Sequence, residues 1–283
     1  MKILIIQENG HHLQNRNFRE CFSLQRSLKK INIKVDVWGK GHINYHQKPE
    51  FNNYDLIVNL ENYDESGWVP DLSSYKTPIK FLWSIDAHCQ GILKYLSTFQ
   101  QGDYDLILQA TKDFVDENSI WFPNCYDSSL IGIREKCEKK IDLGFCGSLL
   151  NRESVLNFLT SNYGLMPNIW VLGEKMVETI NSYWIHFNLN LSNDINYRSF
   201  ETLGCGTLLL TNYNPQYTEL GFEDEVNCLM YKNMKELQYK IENYSGKYDK
   251  ISTIITQGNI LAQKHTYDQR AKVILDIYNE RFT

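Results

Sequence analysis

Eleven short runs rich in Ile, Leu and Val, most of them without polar alternation, constrain what this chain can fold into. In the first half they are KILII (2–6), VDVWG (35–39), DLIVNL (55–60), IKFLWSI (79–85), DLILQA (105–110) and SIWF (119–122). In the second they are DLGFCG (142–147), NIWVLG (168–173), WIHFNLNL (184–191), TLLLT (207–211) and NCLMY (227–231). A strand that is apolar on both faces is buried on both faces, which a parallel sheet covered by helices achieves. The intervening segments predict helices at 15–30, 88–99, 111–117, 151–162, 174–182, 194–203, 234–244, 249–265 and 268–281. Alternating strands and helices imply right-handed crossovers and doubly wound sheets.

Two such sets imply an α/β chain of two Rossmann-like lobes, 1–125 and 141–267, followed by a last helix at 268–283. The stretch between them, NCYDSSLIGIREKCEKK (124–140), follows Pro123 and is polar without a clean period. A composition of 42% hydrophobic and 22% charged residues is globular. The net charge of -5, with no long Lys/Arg run, argues against a general polyanion binder. No apolar stretch reaches the ~18–20 residues of a membrane span. The apolar part of MKILIIQENGHH is too short for a secretory signal and suits a first strand. Seven Cys without a C-x-x-C pair predict reduced thiols in a cytoplasmic protein.

Ligands of open α/β sheets bind beyond the carboxyl ends of the strands. Four segments there could carry chemistry. In the first, 192–206, a helix over 194–203 would put Asp194, Arg198 and Glu201 on one face. Its amides and dipole would suit a phosphate. Glu201, about 10 Å further along at ~1.5 Å per residue, could accept hydrogen bonds from ribose hydroxyls. On spacing alone, a solvated face with an Asp194–Arg198 pair is the simpler reading. The second segment, GFCGSLLNRES (144–154), sets Gly147 and Ser148 before Arg152, whose fork can clamp a diphosphate. It matches neither the phosphate loop ending in Gly-Lys-Ser/Thr nor the three-Gly dinucleotide fingerprint. The third, FLWSIDAHCQG (81–91), follows a strand with Asp86 and His88: either both project toward a ligand, the His as base or hydrogen-bond partner, or the Asp caps the next helix beside a partly exposed His. The fourth, ENGHHLQNR (8–16), supplies no third ligand to join His11 and His12, so no metal site is expected.

The segments YRSFETLGCGTLLLTNYNPQYTEL, NCLMYKNMKELQYKI and KHTYDQRAKVIL resemble the C-terminal lobe of group 1 glycosyltransferases, with FCGSL as its opening strand. WFPNCYD resembles the run where such enzymes leave the N-terminal lobe. The short branch that includes the CgeB-like proteins is the most similar. The resemblance covers roughly 120–280 and reaches the N-terminal lobe only through architecture. It implies a GT-B fold, two Rossmann-like lobes facing across a cleft, with 268–283 packing back on the N-terminal lobe. It implies a nucleoside-diphosphate sugar as donor substrate, no other cofactor and no metal.

By position, Glu201 matches the glutamate that holds the donor ribose, Arg152 the basic residue near the diphosphate, and Gly147 and Ser148 the phosphate-facing loop. The full donor set expected is Gly147, Ser148, Arg152, Gly173, Asn193, Asp194, Asn196, Arg198 and Glu201, with Asp86 and His88 near the reacting centre. Loops 8–16 and 61–71 would form the acceptor side. One position departs from the family: many relatives carry a glutamate eight residues before the second, where this chain has Asn193. The resemblance therefore implies a glycosyltransferase acting on a hydroxyl of a glycan, lipid, protein, small molecule or modified nucleic acid. A nucleotide-sugar epimerase or a non-catalytic nucleotide-sugar-binding protein on the same fold are the alternatives.

Overall fold

The computed structural model describes residues 1–61, 66–90 and 102–283. The chain divides into two units, Met1–Asn124 with Tyr267–Thr283, and Cys125–Thr266. In the first unit β1 (Lys2–Ile6), β2 (Lys34–Trp38), β3 (Leu56–Leu60), β4 (Ile79–Ser84), β5 (Leu106–Gln109) and β6 (Ser119–Trp121) form one sheet, ordered β2-β1-β3-β4-β5-β6. In the second, β7 (Ile141–Gly147), β8 (Met166–Ile169), β9 (Tyr183–Asn188), β10 (Leu208–Asn212) and β11 (Leu229–Tyr231) are ordered β11-β10-β9-β7-β8. Every pairing is parallel, as the unbroken apolar runs imply. Counted from the start of each unit, both sheets read 2-1-3-4-5, with a sixth strand added to the first. Their order reverses between the first and third strands, at β1/β3 and at β7/β9, and ligands of such sheets bind there.

Nine helices complete the described chain: α1 (Glu20–Lys30), α2 (Ala87–Gln90), α3 (Glu153–Tyr163), α4 (Gly173–Asn181), α5 (Tyr197–Gly204), α6 (Pro215–Glu219), α7 (Met234–Tyr244), α8 (Tyr248–Ala262) and α9 (Tyr267–Phe282). One face of the second sheet presents Leu143, Phe145, Ile185, Phe187, Leu208 and Leu210 to α3, α7 and α8. Each such buried side chain contributes roughly 1.5–3 kcal/mol. The other face carries α4 and α5. The closing helix α9 is held by the first unit. Its Asp268 pairs with Lys30 at 2.8 Å, Arg270 Nε donates to the Pro123 carbonyl at 2.7 Å, and Phe282 packs on Phe81. The stretch from Cys125 onward packs on the second unit, where Lys139 Nζ donates to the carbonyls of Asn181 and Tyr183. Among the described residues no helix is long and apolar enough to cross a membrane. Among the described residues no cysteine is joined in a disulfide.

Several elements differ from the sequence expectation, each for a local reason. The helix expected over 15–30 breaks at Arg19 into a 3-10 turn, Leu13–Phe18, and α1. The break is set by Gln7 at the end of β1, whose Oε1 accepts the Cys21 N–H at 2.9 Å and whose Nε2 donates to Glu20. The helix expected over 111–117 is only a 3-10 turn, Lys112–Phe114. Asp116 then turns the chain into β6 by accepting from the Asn118 amide and the Ser119 hydroxyl. The strand expected over 168–173 is β8, Met166–Ile169, an edge strand that tolerates Pro167. Gly173 accordingly opens α4 rather than closing a strand. The short helix α6 was not expected, although Asn214 caps it and Pro215 begins it. Residues 91–99 of the helix expected over 88–99, and residues 62–65 of the loop at 61–71, lie outside the described residues.

Helices α5 and α8 cross at Gly258, where an added Cβ would stand 2.6 Å from the Asn227 carbonyl oxygen and 2.8 Å from Leu203. A backbone atom cannot swing aside, so Gly258→Ala should destabilise the protein by about 1–3 kcal/mol in urea unfolding. A neutral or stabilising effect would contradict this crossing.

Candidate active site

At the order reversal of the second sheet, β7 and β9 part. Their register runs through Ile141↔Tyr183, Leu143↔Ile185 and Gly144↔His186, and then ends. Beyond it the Cys146 N–H donates to the ring Nε2 of His186 at 3.0 Å instead of to a strand carbonyl. His186 is fully buried, and its Nδ1 lies 2.6 Å from the Thr202 hydroxyl, which donates to the Arg198 carbonyl. Nε2 must accept, so Nδ1 carries the proton and donates to Thr202. Burial pushes the His186 pKa well below 6.5, and the Arg198 charge pushes it further down. A neutral imidazole thus ties β7 to β9 and both to α5.

The loop after β7 holds Gly147, Ser148 and Arg152. The Gly147 carbonyl accepts from the Trp170 N–H, which joins this loop to the end of β8. Arg152 caps the start of α3 and reaches across the gap. Its Nε and Nη2 donate to the Leu189 carbonyl at 3.0 and 2.9 Å, and its Nη1 approaches Ser148 Oγ and the Leu150 carbonyl at 3.4 and 3.3 Å. The fork expected to clamp a diphosphate grips main chain on the facing strand.

The loop after β9 rests on a buried polar network. Asn190 and Asn212 exchange hydrogen bonds: the Asn190 N–H donates to Asn212 Oδ1 at 2.9 Å, and Asn212 Nδ2 to the Asn190 carbonyl at 3.0 Å. Asn190 Nδ2 donates to the Tyr217 hydroxyl at 2.7 Å, and its Oδ1 accepts the Asn196 N–H. Asn188 joins Asn196 and Ser199, so the start of α5 sits over the end of β9. The helix begins at Tyr197, three residues later than expected, because Asn190 and Asn188 hold Asn196 in an extended conformation. Asp194 therefore lies outside the helix and is buried, with Ser192 donating to its carboxylate at 3.0 Å and Asn214 to its carbonyl. Asn193 is exposed on the same loop.

Within α5 the expected pairing of Asp194 with Arg198 is replaced by an i,i+3 pair. Arg198 Nη1 meets Glu201 Oε2 at 2.5 Å and also contacts the Met176 sulfur on α4. Both side chains keep partial access to solvent, 20% for Arg198 and 16% for Glu201. Gly147, Ser148, Arg152, Asn196, Arg198 and Glu201 are thus gathered around the ends of β7 and β9. Gly173 lies at the start of α4, one turn from Met176.

In the first unit Asp86 and His88 follow β4. Sequence reasoning missed the residue that holds them. Glu61, just after β3, accepts the N–H groups of Ile85 and Asp86 at 2.5 and 2.8 Å on one oxygen. The His88 Nδ1 stands 3.4 Å from the Thr111 hydroxyl at the end of β5. Also missed were His186, Asn188 and Asn190, although they alternate with Ile185, Phe187 and Leu189 on one strand face. Among the described residues no group of three or more His, Cys, Asp or Glu stands together to hold a metal.

Two parallel α/β units of this order form the GT-B architecture. Residues 150–276 match the family model described as glycosyl transferase-like. Known structures share the fold along the whole chain. The β-glucosyltransferase of phage T4 superposes with a TM-score of 0.69 at 13% identity, covering 100% of both chains. HepE of Anabaena, in complex with UDP and glucose, gives 0.66 at 12% identity, covering 99% of this chain and 100% of HepE. Sucrose-phosphate synthase of Thermosynechococcus elongatus gives 0.67 at 11% identity, covering 99% of both. No curated protein sequence matches the chain.

Protonating His186 on acidification favours the unfolded chain, because the folded ring resists the proton. Its contribution to stability is complete above pH 6.5 and falls below it by up to about 1.4 kcal/mol per pH unit. Urea unfolding between about pH 7.5 and 5.5 should show that loss, and His186→Asn should reduce the slope. An unchanged slope would contradict the neutral ring.

Proposed function

We propose that the protein transfers a sugar from a nucleoside-diphosphate sugar to a hydroxyl acceptor. The observation that carries this reading is the convergence of Arg198, Glu201 and the Gly147–Arg152 loop on the carboxyl ends of β7 and β9. Glu201 takes the ribose hydroxyls. The leaving diphosphate lies at the start of α5, where the helix dipole favours negative charge, with Arg198 and the Ser148 loop beside it. Arg152 acts mainly by holding the loop to β9. The acceptor oxygen attacks the anomeric carbon, the bond from that carbon to the diphosphate oxygen breaks, and a general base takes the acceptor proton. Charge on the departing diphosphate is stabilised by fixed donors, so no metal is required.

HepE, crystallised with UDP and glucose and also with UDP-glucose, supports a uridine nucleotide as the first donor to test. We place the reaction in the cytoplasm, where cysteine thiols stay reduced.

A melting-shift panel of nucleoside diphosphates and their sugars tests the reading. A donor at a hundredfold excess over its Kd should stabilise the protein by about 2.7 kcal/mol. Glu201→Ala should weaken binding of the stabilising nucleotide at least tenfold, the order expected for hydrogen bonds to a charged group, about 1.5–3 kcal/mol. No shift with any donor, or wild-type affinity in Glu201→Ala, would contradict it.

A further inference from the structure

Two polar side chains flank one spot at the strand ends of the first unit, and each has a buried atom that pairs with nothing there. Gln109 closes β5 and is fully buried. Its Oε1 accepts the Thr111 N–H at 3.3 Å, while its Nε2, shut off from solvent, meets no acceptor among the described residues. Glu61 follows β3. Its Oε2 accepts from the Ile85 and Asp86 amides and from the Ser84 hydroxyl, while its Oε1, equally shut off, meets no donor among the described residues. A buried donor and a buried carboxylate oxygen left unmade each cost free energy and call for a reason.

The two groups belong to one row. Ser84 lies between them, as the register partner of Gln109 and the hydroxyl beside Glu61 at 3.4 Å. The segment after β4 spans that row from end to end. It is tied to Glu61 through the amides of Ile85 and Asp86, and His88 approaches the Thr111 hydroxyl at the other side. The unpaired atoms are complementary in kind, one accepting and one donating, yet they do not reach each other. Their strands stand two ladder spacings apart, about 9.5 Å.

This pairing discriminates among ligands. An apolar chain would leave both atoms unpaired. A phosphate or carboxylate would meet the charge of Glu61. Hydroxyls both donate and accept, so they satisfy both sides. Two hydroxyls of one sugar ring span the gap better than a lone alcohol does.

We propose that Glu61 and Gln109 seat the acceptor, and that the acceptor is a neutral saccharide. One of its hydroxyls donates to Glu61 Oε1 and another accepts from Gln109 Nε2. This rests on the proposed transfer reaction and names the acceptor class which that reading leaves open. Both atoms are closed to solvent in the free protein, so the saccharide enters by displacing the span 85–88.

A transfer assay with nucleoside-diphosphate sugars tests it. Methyl glycosides and disaccharides are offered beside a serine peptide, a long-chain alcohol, a sugar phosphate and an oligonucleotide. A neutral saccharide should accept. Gln109→Glu keeps the acceptor for Thr111 but turns an oxygen toward the sugar. It should raise the saccharide KM roughly five- to a hundredfold, the cost of unpaired buried polar groups, with nucleoside-diphosphate Kd unchanged. Gln109→Met should raise KM similarly while melting within a few degrees of wild type, which separates the lost contact from lost folding. A deoxy analogue of the saccharide should be a poorer acceptor for wild type and lose little further in Gln109→Met. Transfer only to a non-saccharide or phosphorylated acceptor, transfer to none while a nucleoside diphosphate binds, or a saccharide KM that either variant leaves unmoved overturns this inference. Each of those outcomes leaves the donor reading standing. Failure of every nucleoside diphosphate to bind the wild-type protein overturns both.

Discussion

Two parallel strands that separate at their ends leave main-chain groups without their strand partners, and a buried group left so costs free energy. Here β7 and β9 separate beyond Gly144 and His186, and side chains take over the pairing. The His186 ring accepts the Cys146 N–H, and the Arg152 fork donates to the Leu189 carbonyl. Asn190 and Asn212 repeat the pattern between β9 and β10, where two side-chain amides do what a strand ladder does elsewhere. Each link fixes a loop that would otherwise be held only at its ends.

The consequence for chemistry is preorganisation. The start of α5 is set over the gap by Asn188 and Asn196, and Thr202 fixes the helix to His186 from below. Arg198 and Glu201 hold each other, and Arg198 also contacts Met176. Groups positioned before a ligand arrives need not reorganise when charge develops on a leaving diphosphate. In the first unit Glu61 does the same for the turn that carries Asp86, gripping two amides with one carboxylate oxygen. At β7/β9 and at β3/β4, a polar side chain from one strand end thus fixes the backbone of its neighbour's loop.

The parallel sheets were legible because strands buried on both faces are largely apolar, as Ile3, Leu4, Ile5 and Ile6 of β1 are. The ends of elements were less so. The start of α5 depends on Asn188 and Asn190, which reach it from the preceding strand, so no local propensity at 194–196 could place it. The break at Arg19 depends on Gln7, distant in sequence. Within the candidate site, Glu201, Arg198, Ser148 and Arg152 were recognisable from strand-end position and from the resemblance. The bonds they make were not, since Arg152 turned toward a carbonyl and Arg198 toward Glu201 rather than Asp194. One signal was present and unread: in WIHFNLNL the polar residues 186, 188 and 190 alternate strictly with apolar ones, marking one polar face on a buried strand.

The central claim is that a nucleotide seats at the carboxyl ends of β7 and β9. Amide hydrogen exchange with and without saturating UDP tests it most directly. Slowed exchange should concentrate in 147–153 and 190–203, with the apolar strands of both sheets unchanged. Protection confined to other segments, with these loops exchanging as in the free protein, would contradict the account.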